Sequence, residues 1–203
     1  MFTGIVAAVG RIVSVTSLGD AAAGVRLSIE AAGLGLADVA IGDSIAIQGA
    51  CMTVTALAGN TFSVDVSRES LNRTAGLDAP GEVNLEKALS LSTKLGGHLV
   101  SGHVDGLGRV VAFDRVGESH LLVVRAPREL ARFLAYKGSV AVDGVSLTVN
   151  RVHDGDDGCD ISINLIPHTV AVTTLKRLAP DTRVNLEVDL IARYVERMLA
   201  APR

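Results

Sequence analysis

The chain has 203 residues, with 19 lysines and arginines against 22 aspartates and glutamates, which leaves a net charge of −3. This acidic balance, with no tryptophan, two tyrosines and four phenylalanines, argues against nucleic-acid binding. No apolar run approaches the ~20 residues of a transmembrane helix, and the first residues lack the basic segment of a secretory signal. We therefore expect a cytoplasmic protein without a membrane association. Cys51 and Cys159 are too few for a disulfide framework or a cysteine zinc site.

Short segments rich in valine and isoleucine, separated by glycine, aspartate and asparagine, fill most of the chain. This pattern is typical of an all-β barrel or sandwich. In chain order, strands are predicted within residues 11–15, 25–29, 44–48, 62–66, 140–142 and 161–165. Helical turns are predicted at 35–39 and at 127–136, where Pro127 occupies a favourable first position.

The last segment predicts one amphipathic helix. From Leu190 the apolar residues fall at positions 190, 191, 194, 195, 198 and 199, with Arg193, Glu196 and Arg197 between them. A helix with such a stripe buries it either on its own barrels or against helices of other subunits. We favour assembly.

The chain repeats itself. The matched blocks are 3–13 with 101–111, 44–54 with 139–149, 64–74 with 163–173, and 83–86 with 184–187. Each of the first two blocks has five identical positions. Because four blocks recur in the same order at nearly constant spacing, we predict two homologous domains, residues 1–97 and 98–189, followed by the helix at 190–203.

Each half places a small polar pair on one face of a strand. Residues two apart in a strand point the same way, so Cys51 shares a face with Thr53, and Ser146 with Thr148. Gly49, and Gly144 in the second half, would allow a tight turn or the close approach of a flat ligand. The alternative is that these residues only shape a hairpin, but their recurrence favours two similar pockets.

The two copies differ in chemistry at matched positions. Ile5 corresponds to His103, Cys51 to Ser146, Asp65 to Asn164, Arg68 to Pro167, and Glu69 to His168. One pocket thus has a thiol and a carboxylate, and the other an imidazole and hydroxyls. Such a protein could hold two copies of one molecule, or two close relatives, and treat them unequally.

Of the five histidines, His103 is the candidate for acid–base chemistry. It lies in a repeated motif, and an unperturbed imidazole titrates near pH ~6.5. A metal site with His98 is not favoured, because a separation of five places the two on opposite faces of a strand. His120 and His153 have the polar, turn-like surroundings of solvated side chains, while His168 is equally compatible with a loop and with a ligand contact.

Several longer motifs carry a family resemblance. They are residues 1–6, 42–45 leading to 51–54, 97–106, 137–139 leading to 143–149, 165–169 and 184–189. In these motifs the chain resembles riboflavin synthase of the α type, a family built from two lumazine-binding repeats. The resemblance spans the whole chain.

The resemblance implies a fold, an activity and an assembly. The expected fold is all-β, with two tandem six-stranded Greek-key barrels and a C-terminal α-helix. The expected reaction is a dismutation in which two molecules of 6,7-dimethyl-8-ribityllumazine exchange a four-carbon unit, giving riboflavin and 5-amino-6-ribitylaminouracil, with no metal or redox cofactor. Family members form a homotrimer through the helix, with the reaction site between barrels of neighbouring subunits. An association with lumazine synthase is left open.

The resemblance also implies the site residues. Cys51, as nucleophile or its stabiliser, and His103, Ser146 and Thr148, for proton handling, would be catalytic, and water is the alternative nucleophile. The first pocket would be formed by Gly4, Ile5, Val6, Ser44, Cys51, Met52, Thr53, Asp65, Val66, Ser67, Arg68, Glu69 and Ser70. The second would be formed by Gly102, His103, Val104, Lys137, Ser146, Leu147, Thr148, Ile166, Pro167, His168, Thr169, Val170 and Ala171.

One functional alternative is a lumazine or flavin carrier that binds the heterocycle without turning it over. Carriers of this kind tend to have one degraded repeat, whereas both halves of this chain keep their motifs. A structural two-barrel subunit without a small ligand is a further alternative, but it leaves the matched polar pairs unexplained.

Overall fold

The computed structural model of the protein describes residues 1–20 and 22–200. Within these residues the chain forms thirteen β-strands, three α-helices and three short 3₁₀ turns. The all-β class predicted from the sequence is confirmed.

The first half forms a closed six-stranded barrel. Its strands are β1 (Ala8–Ser17), β2 (Val25–Glu30), β3 (Ser44–Ile47), β4 (Ala50–Ala58), β5 (Thr61–Val66) and β6 (Gly81–Lys87). They hydrogen-bond in the order β1-β2-β5-β4-β3-β6, every pair being antiparallel, and β6 returns to pair with β1. Closure leaves no free edge, because every strand has a partner on both sides.

The second half repeats this arrangement with seven strands. They are β7 (Gly106–Val116), β8 (Ser119–Ala126), β9 (Ser139–Val142), β10 (Val145–Thr148), β11 (Arg151–Gly155), β12 (Gly158–Leu165) and β13 (Arg183–Val188). Their order is β10-β9-β13-β7-β8-β12-β11. The outermost strands, β10 and β11, follow each other in the chain, so together they take the place of β4.

The extra strand has a local cause. In the first half the β4–β5 register shifts between Val54 and Ala56, which is a bulge in a continuous strand. At the matched point of the second half, residues 149–150, the strand is interrupted. The flanking backbone bonds are kept, since Val149 N–H donates to Gly138 C=O as Val54 N–H does to Asp43 C=O. The second half therefore has the strand order of the predicted six-stranded barrel with one strand divided, but β10 and β11 do not pair with each other, so it is an open seven-stranded sheet and not a closed barrel. We call this sheet the second barrel.

The sequence analysis missed two short helices, one after β5 in the first half and one after β12 in the second half. They are α1 (Arg68–Arg73) and α2 (Pro167–Val172). The Ser67 hydroxyl caps α1 by accepting a bond from Ser70 N–H at 3.0 Å. In α2, Pro167 stands in the first turn, where its missing N–H costs nothing.

The predicted helical turns are partly correct. The turn at 127–136 is confirmed as a 3₁₀ segment, Arg128–Phe133, which ends at Leu134. The turn expected at 35–39 is present as a single turn, in which Val39 N–H donates to Leu36 C=O at 3.1 Å. A separate 3₁₀ segment that was not predicted, Ala32–Leu34, comes just before it and ends at Gly35, which has a positive φ of 67°. A third 3₁₀ turn, Thr174–Arg177, links α2 to β13.

Each half has its own hydrophobic core, and a small third cluster joins them. Phe2, Ala46, Val100 and Ala141 form this junction, and all four are buried. Phe2 and Val100 exchange two backbone hydrogen bonds as an isolated antiparallel bridge. The paired segments thus lie between the two barrels.

Glycines in matched hairpins let the barrels approach each other. Gly49 and Gly144 have φ values of 86° and 80°. A Cβ on Gly49 would lie 2.6 Å from the Gly144 nitrogen, so no larger residue fits without displacement. The structure therefore uses these two glycines for barrel contact, whereas the sequence analysis considered the approach of a ligand.

The C-terminal helix, α3 (Leu190–Ala200), lies against the second barrel through ion pairs. Arg193 binds the Asp105 carboxylate at 2.7 Å, and Arg132 binds Glu196 at 2.8 Å. The predicted helix is confirmed for its described part, and residues 201–203 lie outside the described residues. None of the described helices has the length and apolar character needed to span a membrane.

Candidate functional site

The segments that begin each repeat cross to the opposite barrel. We call residues 2–6 and 100–104 the crossing segments. Ser146 N–H of the second barrel donates to Gly4 C=O at 2.7 Å, and Cys51 N–H of the first barrel donates to Gly102 C=O at 2.8 Å. Val6 packs on the core of the second barrel, and Val104 on that of the first.

This crossing corrects the predicted grouping of residues. Residues 102–104 were expected beside Ser146, and residues 4–6 beside Cys51, but the structure places each set at the other barrel. The contacts leave little freedom, because a Cβ on Gly102 would lie 2.7 Å from the Cβ of Cys51, and one on Gly4 would lie 2.6 Å from that of Ser146. Within one chain, therefore, His103 accompanies Cys51 rather than Ser146.

A buried glutamate holds each crossing segment in place. The Glu86 carboxylate accepts bonds from Thr3 N–H and Thr3 Oγ1, both at 2.6 Å, and from Gly4 N–H at 3.0 Å. The Glu187 carboxylate accepts the matching bonds from Ser101 N–H, Ser101 Oγ and Gly102 N–H. Burial raises the pKa of both carboxyls, and the donated bonds oppose that rise.

The first site is a cleft of about 200 Å³ beside Cys51. It is lined by Ala50, Cys51, Met52, Glu69, Ser70, Arg73, Thr74, Gly102, His103 and Val104. Cys51 is half-buried and His103 is exposed. A thiol, an imidazole and a carboxylate thus face one opening. They are supplied by β4, a crossing segment and α1, respectively.

Ion pairs hold two acidic residues of the predicted first pocket. Asp65 makes two parallel bonds to the Arg26 guanidinium, at 2.7 and 2.8 Å, which lowers its pKa. Glu69 binds Arg73 one turn later in α1 at 2.6 Å. Asn164, the counterpart of Asp65, stands opposite Leu121 in the sheet, so the ion pair is missing at the matched position. The same two strands of the second half are joined elsewhere by a similar pair, in which Arg125 binds Asp160 at 2.7 and 2.8 Å.

The second site is centred on Ser146. Its Oγ lies 2.7 Å from Nδ1 of His98, a residue that the sequence analysis considered only as a metal ligand. Gly97 lies over Ser146, since a Cβ there would be 2.7 Å from the Ser146 Cβ. Thr148 is exposed on the same strand face, as predicted from its spacing.

Lys137 has an unusual backbone conformation at the margin of the second barrel. Its φ is 63°, where the matched residue of the first half is Gly42 with a φ of 97°. A non-glycine residue in this region is uncommon. Its Nζ donates to Asn150 Oδ1 at 3.2 Å, so the ammonium is held near the strand end.

The remaining predicted residues of the second pocket are Ile166, Pro167, His168, Thr169, Val170 and Ala171, which form the start of α2 and the residue before it. Ile166, Pro167 and His168 are exposed. These side chains are therefore available to a ligand.

A larger cleft of about 700 Å³ lies between the first barrel and the segment that joins the halves. Ile5 and Ser44, both predicted for the first pocket, line it together with Thr3 and Glu86. Ser44 also stands opposite Thr53 in the β3–β4 pair, so it shares a strand face with Cys51. Ser44 lines the larger cleft, however, and is not among the residues that line the cleft beside Cys51.

Residues missed by the sequence analysis are Glu86, Glu187, His98, Gly97 and Arg26. The repeated blocks 83–86 and 184–187 contain the two glutamates, and an acidic residue at the end of an apolar strand was the available signal. His98 lies at the second site, beside Ser146, whereas His103 lies at the first site, beside Cys51. Among the described residues, no group of three or more His, Cys, Asp or Glu side chains is arranged to hold a metal ion.

Comparison with known proteins agrees with the duplicated architecture. The family model described as the lumazine binding domain matches residues 3–88 and again residues 101–189. A riboflavin synthase from Mycobacterium bovis is 46% identical over 205 residues, which is 98% of this chain and 98% of that protein. The riboflavin synthase of Photobacterium phosphoreum is 45% identical, covering 98% of this chain and 89% of its own.

Similar solved structures have the same fold. The crystal structure of LumP complexed with riboflavin has a TM-score of 0.79 at 25% identity, and covers 93% of this chain and 99% of its own. That of LumP complexed with 6,7-dimethyl-8-(1'-D-ribityl) lumazine has a TM-score of 0.78 at 24% identity, with the same coverage. With two lumazine binding domains over most of its length and close relatives across nearly all of it, this chain belongs to the riboflavin synthase family.

Proposed function

We propose that the protein converts two molecules of 6,7-dimethyl-8-ribityllumazine into riboflavin and 5-amino-6-ribitylaminouracil, and so acts as a riboflavin synthase. The duplication carries this proposal. Two barrels with matched backbone geometry present unequal side chains, Cys51 in one and Ser146 in the other. A dismutation of one compound needs this combination, because both molecules must be bound alike and react differently.

The reaction transfers a four-carbon unit from one lumazine to the other, so the enzyme is a transferase. Loss of a proton from the acidic 7-methyl group forms one nucleophilic partner, and addition to a ring carbon activates the other. Holding two flat rings in register supplies up to roughly 7 to 11 kcal/mol of the barrier reduction. The backbone groups of the crossing segments, and of β10 at the edge of the second sheet, are suited to that task, since strand edges match the donors and acceptors of a heterocycle.

The residue roles follow the corrected grouping. Cys51 and His103 act at the first site, with the thiol as nucleophile or as the group that orients an attacking water. Ser146 and Thr148 act at the second site, and Lys137 binds there with the residues at the start of α2. His103, being exposed beside Cys51, is suited to exchange protons with a ligand in the first site.

The active assembly is a homotrimer in the cytoplasm, with each reaction site shared by the first barrel of one subunit and the second barrel of its neighbour. The supporting observation is the outward face of α3, where Ile191, Tyr194 and Met198 are 65%, 67% and 77% exposed. An apolar face of this kind is typical of a surface that binds another chain. The division into residues 1–97, 98–189 and 190–203 accompanies this proposal. An association with lumazine synthase rests on the family resemblance.

The experiment is to incubate the purified protein with 6,7-dimethyl-8-ribityllumazine alone, with EDTA present. We expect riboflavin and 5-amino-6-ribitylaminouracil in equal amounts, measured by chromatography, while ligand binding is followed separately by fluorescence. Binding without product would contradict the proposal and assign the protein to the carriers. A product that disappears in EDTA and returns with a metal would contradict the metal-free reaction.

A further inference from the structure

The imidazole of His98 is an unusual feature of the second site. The side chain is 8% exposed, and its Nδ1 lies 2.7 Å from Ser146 Oγ. Its backbone N–H donates to Thr3 C=O, and the neighbouring Gly97 lies against Ser146, so the ring has a defined place. The other ring nitrogen, Nε2, is buried and has no hydrogen-bond partner among the described residues.

The unpartnered Nε2 determines the direction of the bond to Ser146. Burial lowers the pKa of His98, with the Asp189 charge acting in the opposite direction, so the ring is neutral and carries one proton. If that proton were on Nε2, a buried N–H donor would be left without an acceptor, which is rarer in proteins than an unpaired acceptor. The proton therefore lies on Nδ1, and Nδ1–H donates to Ser146 Oγ.

This direction fixes what the serine can do. Because Oγ accepts from His98, its own hydrogen is free to rotate toward a ligand, and a hydroxyl with an accepted bond is a better donor. The thiol of Cys51, at the matched position of the first site, has no side-chain hydrogen-bond partner among the residues that the structure describes. The two sites thus differ in two ways. The first has a thiol where the second has a hydroxyl, and only the hydroxyl is held by a neighbouring imidazole.

We propose that His98 is a positioning residue that makes Ser146 a hydrogen-bond donor to the heterocycle in the second site, where the donor stabilises the ligand anion left by loss of the 7-methyl proton. This inference rests on the proposed function. The charge of that anion spreads over ring nitrogens and carbonyl oxygens, which are acceptors for the serine hydrogen. A preorganised donor at such an atom lowers the barrier to proton loss, and a different group removes the proton.

The test measures how much of the bound lumazine is in the anionic form. Full-length wild type and variants are mixed rapidly with 6,7-dimethyl-8-ribityllumazine, and the absorption spectrum is recorded across a pH series before riboflavin accumulates. The variants are His98→Leu, which removes the donor, His98→Asn, whose side-chain amide NH₂ can replace Nδ1–H, Ser146→Ala, and His98→Leu with Ser146→Ala. The exposed His153 on β11 supplies the matched control, His153→Leu.

We expect His98→Leu and Ser146→Ala to lower the anionic fraction by similar factors, and the double variant to add nothing further. kcat should fall by roughly a hundredfold to a thousandfold, in the range seen on removal of one such donor, while KM changes little. His98→Asn should recover most of both losses, and His153→Leu should match wild type. A purely structural role would instead reduce binding and leave the anionic fraction of the ligand that still binds unchanged.

Three results would overturn the proposal. They are an unchanged anionic fraction in His98→Leu, a further loss when His98→Leu is combined with Ser146→Ala, and a His98→Asn variant as impaired as His98→Leu. The spectrum of bound ligand is read without turnover, so a protein that binds lumazine but makes no riboflavin would contradict the proposed function while still allowing this test.

Discussion

Gln48 and Asp143 occupy the same position in the two halves, and both have a φ of 49°. Each accepts a bond from a backbone N–H on the neighbouring strand: Asn84 N–H donates to Gln48 Oε1, and Asn185 N–H donates to Asp143 Oδ1. The two residues thus do the same structural work, one with a neutral amide and the other with an ionisable acid. Burial raises the pKa of Asp143 to about 7.

The first prediction concerns the pH dependence that Asp143 confers. Its folded-state pKa of about 7 lies above the unfolded value of 3.8, so the folded protein binds the extra proton between these values. The free energy of unfolding therefore falls as pH rises through this window, by about 4 kcal/mol for a difference of roughly three pKa units. Asp143→Asn should remove this fall, because an amide keeps the acceptor and does not ionise.

Urea unfolding of wild type and Asp143→Asn at mildly acidic and mildly alkaline pH would measure the effect. The variant should gain stability relative to wild type at the higher pH. Glu86 and Glu187 also have raised pKa values, but both proteins share them, so the difference between the curves isolates Asp143. The exposed Asp156 provides a control, Asp156→Asn. Parallel curves for Asp143→Asn and wild type would show that Asp143 titrates normally.

At the residue scale, the sequence could identify chemistry but not pairing. Matched blocks indicated that Cys51, Ser146 and His103 lie at candidate sites, because these residues change type within a repeated pattern. The sequence could not identify the residue that each of them contacts, since Arg26 is 39 positions from Asp65, and His98 is 48 positions from Ser146. Such contacts depend on which strands become neighbours.

The crossing segments are the elements that connect the two sites. Each is held by one glutamate of its own half and contacts, in the other half, the strand that carries Cys51 or Ser146. Removing an acceptor from buried N–H groups costs about 1–3 kcal/mol. A change in either glutamate should therefore loosen one segment, and with it the site on the opposite barrel.

The second prediction compares Glu187→Gln with Glu86→Gln by thiol alkylation. Gly102 lies against Cys51 and is held by Glu187, so Glu187→Gln should raise the alkylation rate of Cys51. The rate should rise about tenfold for each 1.4 kcal/mol lost from the free energy that holds the crossing segment over the thiol. Glu86→Gln should leave that rate unchanged, because Glu86 holds the segment at Ser146. Equal rates in the two variants would show that the segments do not act separately.

The same assay has an internal reference. Cys159 is buried, and burial is the main reason that its pKa is raised to about 11, so little of it is thiolate at neutral pH. Alkylation should therefore occur at Cys51, as peptide mass spectrometry can verify. Modification of Cys159 in the folded protein would indicate opening of the second barrel rather than movement of a crossing segment.

At the scale of the whole molecule, α3 separates two kinds of contact. Its charged residues Arg193 and Glu196 bind to the second barrel of the same chain, and its apolar residues point away from it. A helix built only to cover its own barrel would have the opposite orientation. The outward stripe is therefore available for another copy of the chain.

The third prediction is that a chain ending at Asp189 sediments as a monomer and has little activity, because the proposed reaction site between subunits then cannot assemble. A triple variant, Ile191→Lys, Tyr194→Lys and Met198→Lys, tests the same face while keeping the helix and its ion pairs. Arg197→Ala, at an exposed position outside the apolar stripe, is the control. A trimer that survives both changes would assign assembly to another surface.

The sequence by itself determined the duplication, the all-β class and the amphipathic final helix, and it supplied the candidates for the reactive side chains. These features are local or are repeated in order along the chain, so periodicity and internal comparison reveal them. Only the tertiary structure decided that the crossing segments exchange barrels, that His98 lies on Ser146, and that the apolar stripe of α3 faces outward. These outcomes depend on long-range packing between two nearly equivalent barrels, and a sequence pattern that suits both barrels equally cannot choose between them.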